Sequence, residues 1–215
     1  MSAQPQPTLI GLPDLKIGLE GSFDAPILVN NSDRAIIGYT LHIEGDCAMQ
    51  SIIPVYRLDG IPPGAKDVFV RVDDLDEARA AGRQALARAV HRDGSPVVVS
   101  RISLDSVIFA DGEFAGPDAA QSYRFAVAHM DATREFAAQA LADMTSIETA
   151  VRPSRSASLR DCFYRKGKTG EQLTATAAED KLAEELYDLQ QKSGIEAARQ
   201  AAYRLSQTPK LWKRS

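Results

Sequence analysis

Apolar and polar residues alternate in short runs through the first half of the chain, and then change to a helical period. APILVNN (25–31) is an apolar run that ends in Asn30-Asn31-Ser32-Asp33, where side chains can bond their own backbone and favour a turn. IIGYTLHI (36–43) alternates, with Ile37, Tyr39, Leu41 and Ile43 on one expected face and Gly38, Thr40 and His42 on the other. SIIPVYRL (51–58) carries Pro54, which suits an edge strand or a bulge because proline has no N–H to give a ladder. IPPGAKD (61–67) reads as a turn, and DVFVRV (67–72) alternates again with Val68, Val70 and Val72 inward.

The longest β-like run, PVVVSRISLDSVIF (96–109), changes phase. Ile102 and Leu104 have one parity, whereas Val107 and Phe109 have the other. Both pairs can share a face only if a residue is inserted near Asp105-Ser106, so a β-bulge or a switch of sheet is expected there. Ala110-Asp111-Gly112-Glu113 fits a hairpin with Gly112 at positive φ, and Gly116-Pro117 ends the returning strand.

Helical spacing occurs in four places. Leu75, Ala78, Gly82, Ala85, Leu86, Ala89 and Val90 predict a helix over 75–91, introduced by Asp74-x-x-Glu77. In 119–145, Tyr123, Val127, Met130, Ala137, Leu141 and Met144 form a stripe, while Phe125, Ala132 and Phe136 lie off it and call for neighbours on more than one side. Thr176-x-x-Glu179 is expected to open a third helix with Leu182, Leu186 and Leu189 inward. Ser193-x-x-Glu196 is expected to cap a last one carrying Ile195, Ala198, Ala202 and Leu205.

The expected fold class is therefore α+β: an antiparallel immunoglobulin-like β-sandwich with one inserted helix, followed by a helical C-terminal region. Residues 1–8 read as a disordered lead-in, 9–118 as the sandwich domain, and 119–215 as the helical region, packed on the sandwich or extending from it.

Two pieces, VNNSDRAIIGYTLHI (29–43) and ISLDSVIFADGEFAGPD (102–118), resemble segments of uncharacterised bacterial proteins with an immunoglobulin-like β-sandwich. In that group a strand, an Asp-Gly turn and a Gly-Pro-Asp segment are followed by helices. The resemblance implies a location outside the cytoplasm and no catalytic residue.

Charge and chemistry narrow the classes of function. At 215 residues the chain can bury a core without disulfides or metals, and its net charge of −4 creates no global field that would attract nucleic acid. No run reaches the ~20 apolar residues of a membrane span. The start, MSAQPQPT, lacks an apolar signal core: a leader removed ahead of Ala3 would put the protein outside the cytoplasm, and otherwise a cytoplasmic location is expected. Cys47 and Cys162 have no recognised spacing and are expected to be unpaired, buried residues.

His42, His91 and His129 form no zinc motif, and His129 and Asp131, two apart on a helix, do not face each other. The acidic group Asp73-Asp74-Asp76-Glu77 lacks the spacing of a calcium loop and is explained by helix capping. Asp105, the one acid inside an apolar strand, is expected to be turned to solvent by the bulge. Serine-nucleophile, phosphate-loop and dinucleotide signatures are missing. No cofactor, metal or catalytic residue is assigned.

The most unusual stretch is RPSRSASLRDCFYRKGK (152–168). Arg152, Arg155, Arg160, Arg165, Lys166 and Lys168 stand against Asp161 alone, with Phe163 and Tyr164 among them. A linker, a protein or anionic-surface contact, and nucleic-acid binding by stacking and phosphate contact are the three readings, in that order. The single tryptophan, Trp212 in KLWKRS, either docks on the body or serves an interface. The expected function is a noncatalytic structural or protein-interaction module whose partner is a protein or a second copy. The rival is a binder of an anionic polymer or nucleic acid through the basic loop 152–168, and a hydrolytic enzyme comes third.

Overall fold

The computed structural model describes residues 8–22, 25–45, 51–68, 98–144 and 169–213. Its class is α+β, with two sheets and, among the described residues, three α-helices that follow the strands. Two compact units emerge, the first running to Ser122 and the second covering Tyr123–Lys213. The expected helix 75–91, the acidic group 73–77, His91 and both cysteines lie outside the described residues.

In the first unit, β1 (Thr8–Ile10), a single 3-10 turn (Pro13–Leu15) and β2 (Ile17–Ser22) precede β3 (Ala25–Asn30). Then come β4 (Ile36–Gly45), β5 (Ser51–Ile61), β6 (Lys66–Val68), β7 (Val99–Phe109) and β8 (Glu113–Ala115). The smaller sheet has the order β2-β3-β6 and is antiparallel throughout. In the larger one β4 lies between β5 and β7. Among the described strands β5 pairs only with β4, so Pro54 sits where the missing N–H costs no second ladder bond. The two sheets share one core, in which Ile17 and Leu28 of the smaller sheet meet Tyr39, Leu41, Val55, Ile102, Leu104, Val107 and Phe109 of the larger.

The phase change in β7 is resolved by a bulge. Thr40 pairs with Ser106 while its neighbour Leu41 pairs with Leu104, so Asp105 is the additional residue. Ile102, Leu104, Val107 and Phe109 are all buried in the same cluster as a result. A strand without the insertion would turn Val107 and Phe109 to the opposite face.

The bulge also divides the other edge of β7. Residues 101–103 carry β1, and residues 107–108 carry β8 through the Asp111-Gly112 hairpin, with Gly112 at φ 89°.

Several expectations are corrected. Thr8 is not part of a disordered lead-in but begins β1, and β1 runs parallel to β7, so the larger sheet is not purely antiparallel. A parallel pair needs a long connection, and here the two strands are separated by most of the first unit. Ile37 is not the inward partner of Tyr39: the register of β4 shifts between Ile36 and Gly38, and Ile36 joins the shared core instead. Gly38 on the other face is enclosed, since a Cβ there would lie 3.1 Å from Ile108 and 3.2 Å from Tyr56.

The second unit comprises α1 (Tyr123–Ala142), α2 (Gly170–Ser193) and α3 (Ile195–Ser206). Phe136, Ala137, Ala140, Leu182, Ala183, Leu186 and Ala202 form their common core, in which four alanines permit close backbone approach. Ala132 and Phe136 are buried along with Met130 and Ala137, so α1 has neighbours over a wide arc.

The helix ends differ from the expected ones. The cap of α2 is Thr169, whose Oγ1 accepts the Gln172 N–H while the Gln172 side chain accepts the Thr169 N–H. Thr176 is inside that helix and donates to the Gln172 carbonyl. Ser193 is the last residue of α2, and the cap of α3 is Gly194 at φ 87°, with no side-chain bond. Ile195 is 49% exposed rather than inward, while Ala198 and Ala202 are buried as the spacing requires.

His129 on α1 is held neutral, because burial and then the Lys181 charge push its pKa down to about 3. An unfolded histidine takes up its proton near pH 6.5, so between that pH and about 3 the unfolded chain binds the additional proton. The contribution of His129 to stability is therefore complete above pH 6.5 and declines as pH falls, by up to about 1.4 kcal/mol per pH unit. We expect His129→Gln to lose less stability than the parent between neutral and mildly acidic pH, as measured by urea unfolding at both. Identical losses would contradict a buried neutral imidazole.

Candidate functional site

Of the expected contact residues, Arg152, Arg155, Arg160, Phe163, Tyr164, Arg165, Lys166 and Lys168 lie outside the described residues. Trp212 is described and is 44% exposed, in a short extended segment with Lys213. That segment is fastened to the start of α1. The Tyr123 hydroxyl donates to the Leu211 carbonyl at 3.3 Å, and the Lys213 ammonium lies 5.8 Å from the centre of the Tyr123 ring. On α3, Ile195 and Tyr203 are the large apolar side chains turned outward, Tyr203 at 60% exposure. They are eight positions apart, with exposed Arg199 midway between them on the same helical stripe.

The first unit holds three polar assemblies, of which the sequence indicated only the side-chain-to-backbone turn at Asn30–Ser32. One surrounds the bulge. Asp105 is buried rather than turned to solvent: its Oδ1 accepts the Ala119 N–H at 2.8 Å and its Oδ2 lies 3.2 Å from the Ser122 hydroxyl. The same hydroxyl is 3.1 Å from Asp118 Oδ1 and 3.2 Å from Ser106 Oγ. Gly116, at φ 129°, lets the chain cross the bulge, since a Cβ there would lie 2.5 Å from the Asp105 carbonyl. The loop 116–122 is thus folded around the carboxylate, and its donors satisfy a charge that would otherwise be costly to bury.

A second assembly joins the two sheets. Asp67 on β6 accepts the Tyr39 hydroxyl at 2.9 Å and Arg57 Nε at 3.0 Å, and Arg57 Nη2 donates to the Val68 carbonyl at 3.0 Å. Burial, followed by the Asp67 charge, pushes the Tyr39 hydroxyl well above the ordinary phenol range, so it serves as a donor at any physiological pH.

The third holds the turns. Asn30, fully buried, donates through Nδ2 to the carbonyls of Arg34, Ile61 and Pro62 and accepts from Ser32. Arg34 in turn forks onto Asp111 and Glu113 at 2.5 and 2.8 Å, with its guanidinium 3.7 Å from the centre of the Phe109 ring.

The partners in all three are backbone groups and side chains that fix a turn, a bulge or a sheet-to-sheet contact. On α1, Asp131 pairs with Arg134 at 2.6 Å and not with His129. Among the described residues no group of three or more His, Cys, Asp or Glu side chains could hold a metal ion, and no helix is long and apolar enough to cross a membrane. The chain matches no protein-family model, no curated protein and no solved structure.

Asp67→Ala leaves the Arg57 guanidinium and the Tyr39 hydroxyl without their shared acceptor, at an expected cost of about 3 kcal/mol. Tyr39→Phe removes one neutral donor and should cost about 1 kcal/mol. Urea unfolding of both variants checks the order, and equal costs would mean that the charge of Asp67 plays no part in joining the sheets.

Proposed function

We propose that the protein is a noncatalytic interaction module, in which an immunoglobulin-like β-sandwich and a three-helix unit act as scaffold. The two facing sheets with a shared core, and the Asp-Gly hairpin followed by Gly-Pro-Asp and helices, support the immunoglobulin-like reading. The observation that carries the interaction reading is the distribution of exposed apolar side chains. Of the four large ones among the described residues, Ile195, Tyr203 and Trp212 belong to α3 and the segment after it, and only Ile10 lies elsewhere. Aromatic residues with arginine close by are enriched at interface centres, and Tyr203, at 60% exposure, has Arg199 and Arg204 beside it in sequence on the same helix. Within the first unit, the acids with defined partners are engaged by the fold itself: Asp67 by Arg57 and Tyr39, Asp105 by the loop 116–122, and Glu113 by Arg34.

A photo-crosslinking phenylalanine analogue placed at position 203 or 212 tests the proposal in the cells that make the protein, with Glu135, exposed on α1, as the control position. A discrete protein adduct from 203 and 212 and none from 135 is expected. Equal labelling at all three, or none, would contradict an interaction surface there. Oligonucleotide binding that weakens steeply with salt and disappears when Arg155, Arg160 and Lys166 are changed to alanine would replace this reading with the anionic-polymer one.

A further inference from the structure

Asp111-Gly112 carries a chemical hazard of its own. The amide nitrogen of a residue after aspartate can attack the side-chain carboxyl carbon. A nitrogen–carbon bond forms, the carboxyl hydroxyl leaves with the amide proton as water, and a five-membered imide results. Water reopens that ring at either carbonyl, returning aspartate or producing isoaspartate, in which the main chain runs through the side-chain carbon. Glycine in second position offers no side chain to obstruct the attack. The reaction needs a protonated carboxyl, since an ionised one has no leaving group, and an amide nitrogen free to lose its proton.

We propose that Asp111-Gly112 is a latent isoaspartate site that folding holds shut, with Arg34 as the clamp. The Gly112 N–H is engaged, donating to the Phe109 carbonyl at 2.9 Å. The Asp111 carboxylate is engaged at both oxygens: Arg34 Nη2 lies 2.6 Å from Oδ1 and 2.5 Å from Oδ2, and the Glu113 N–H reaches Oδ1 at 3.1 Å. Burial draws this carboxyl toward the neutral form, but the Glu113 N–H and the Arg34 guanidinium outweigh it and hold the group below the usual carboxylate range. The ionised, unreactive form is therefore the one the fold selects.

Arg34 itself has little freedom. Its guanidinium is stacked on Phe109 and bound to Glu113, its carbonyl accepts Asn30 Nδ2, and its N–H donates to Ser32 Oγ. The Asp111 side chain is 57% exposed, so exclusion of water does not protect it: charge and geometry do. A methylene added to the main chain at this turn would disturb the pairing of Val107 with Ala115 and of Ile108 with Phe114.

The test is prolonged incubation of the full chain at neutral pH and body temperature, with isoaspartate at position 111 read from diagnostic fragment ions of the proteolytic peptide. Folded parent, parent unfolded in urea, Arg34→Ala and Arg34→Lys are compared, with circular dichroism reporting whether each variant is folded. The folded parent should form isoaspartate at least about tenfold more slowly than the unfolded chain, since displacing a reacting pair from its productive geometry costs that much or more. Arg34→Ala should approach the unfolded rate, with Arg34→Lys, which keeps a charge but not the fork, in between. Equal rates in the folded and unfolded parent, no isoaspartate in the unfolded chain, or a folded Arg34→Lys as slow as the parent would each overturn the proposal. If Arg34→Ala does not fold, Arg34→Lys and the comparison of the parent with and without urea still decide it.

Discussion

Strand β7 has to present two pairs of apolar residues of opposite parity to one core, and the structure of the first unit is arranged around that requirement. The additional residue at Asp105 restores the phase, so that Leu104 and Val107 lie in the same cluster. The same residue brings a carboxylate into a buried position. The loop 116–122 meets that need with the Ala119 N–H and the Ser122 hydroxyl, and Gly116 supplies the only kind of backbone that could pass so close to the bulge. Packing and polar satisfaction are thus two consequences of one insertion.

The other buried polar groups follow the same logic at other joints. Asp67 links the sheets through Arg57 and Tyr39, and Asn30 holds the β3–β4 turn against the end of β5. The bonds of Asp67 are charge-assisted and those of Asn30 are neutral, and both residues tie together segments that are distant in sequence. The three-helix unit uses a different means: alanines at Ala137, Ala140, Ala183 and Ala202 allow close helix packing, and the larger apolar side chains Ile195 and Tyr203 are turned outward. That contrast between a polar-locked β unit and a helical one with large apolar side chains turned outward underlies the interaction reading.

What could be read from the chain was what depends on local period. The strands at 25–30 and 36–45, the bulge and the Asp-Gly hairpin follow from alternation and turn chemistry, because each signal lies within a few residues of the feature. Features set by distant partners were not legible. Asp105 is buried because of donors that arrive from residues 119 and 122, and nothing in SLDSV announces them. The parallel pairing of Thr8–Ile10 involves three residues and a partner strand far along the chain. Parity groups Ile37 with Tyr39, Leu41 and Ile43, but the register shift between Ile36 and Gly38 breaks that alternation and puts Ile36 in the shared core, a break that no local period announces. Thr169-x-x-Gln172 and Thr176-x-x-Glu179 are equivalent capping signals, and only the observed helix start separates them. Of the residues in the proposed contact surface, Trp212 was accessible to composition alone, whereas Tyr203 emerged only once Ala198 and Ala202 were seen to take the inner face of α3.

The role of the inserted residue is tested most directly by comparing deletion of position 105 with Asp105→Ala, using chemical denaturation and the near-ultraviolet circular dichroism of the buried Tyr39 and Phe109. The substitution keeps the residue count of β7 and removes only the carboxylate, so a cooperative, less stable native state should survive. The deletion should abolish cooperative unfolding, because Val107 and Phe109 can no longer reach the core together with Ile102 and Leu104. A deletion variant that unfolds cooperatively, with the parent's aromatic spectrum, would contradict the claim that parity in β7 governs the fold.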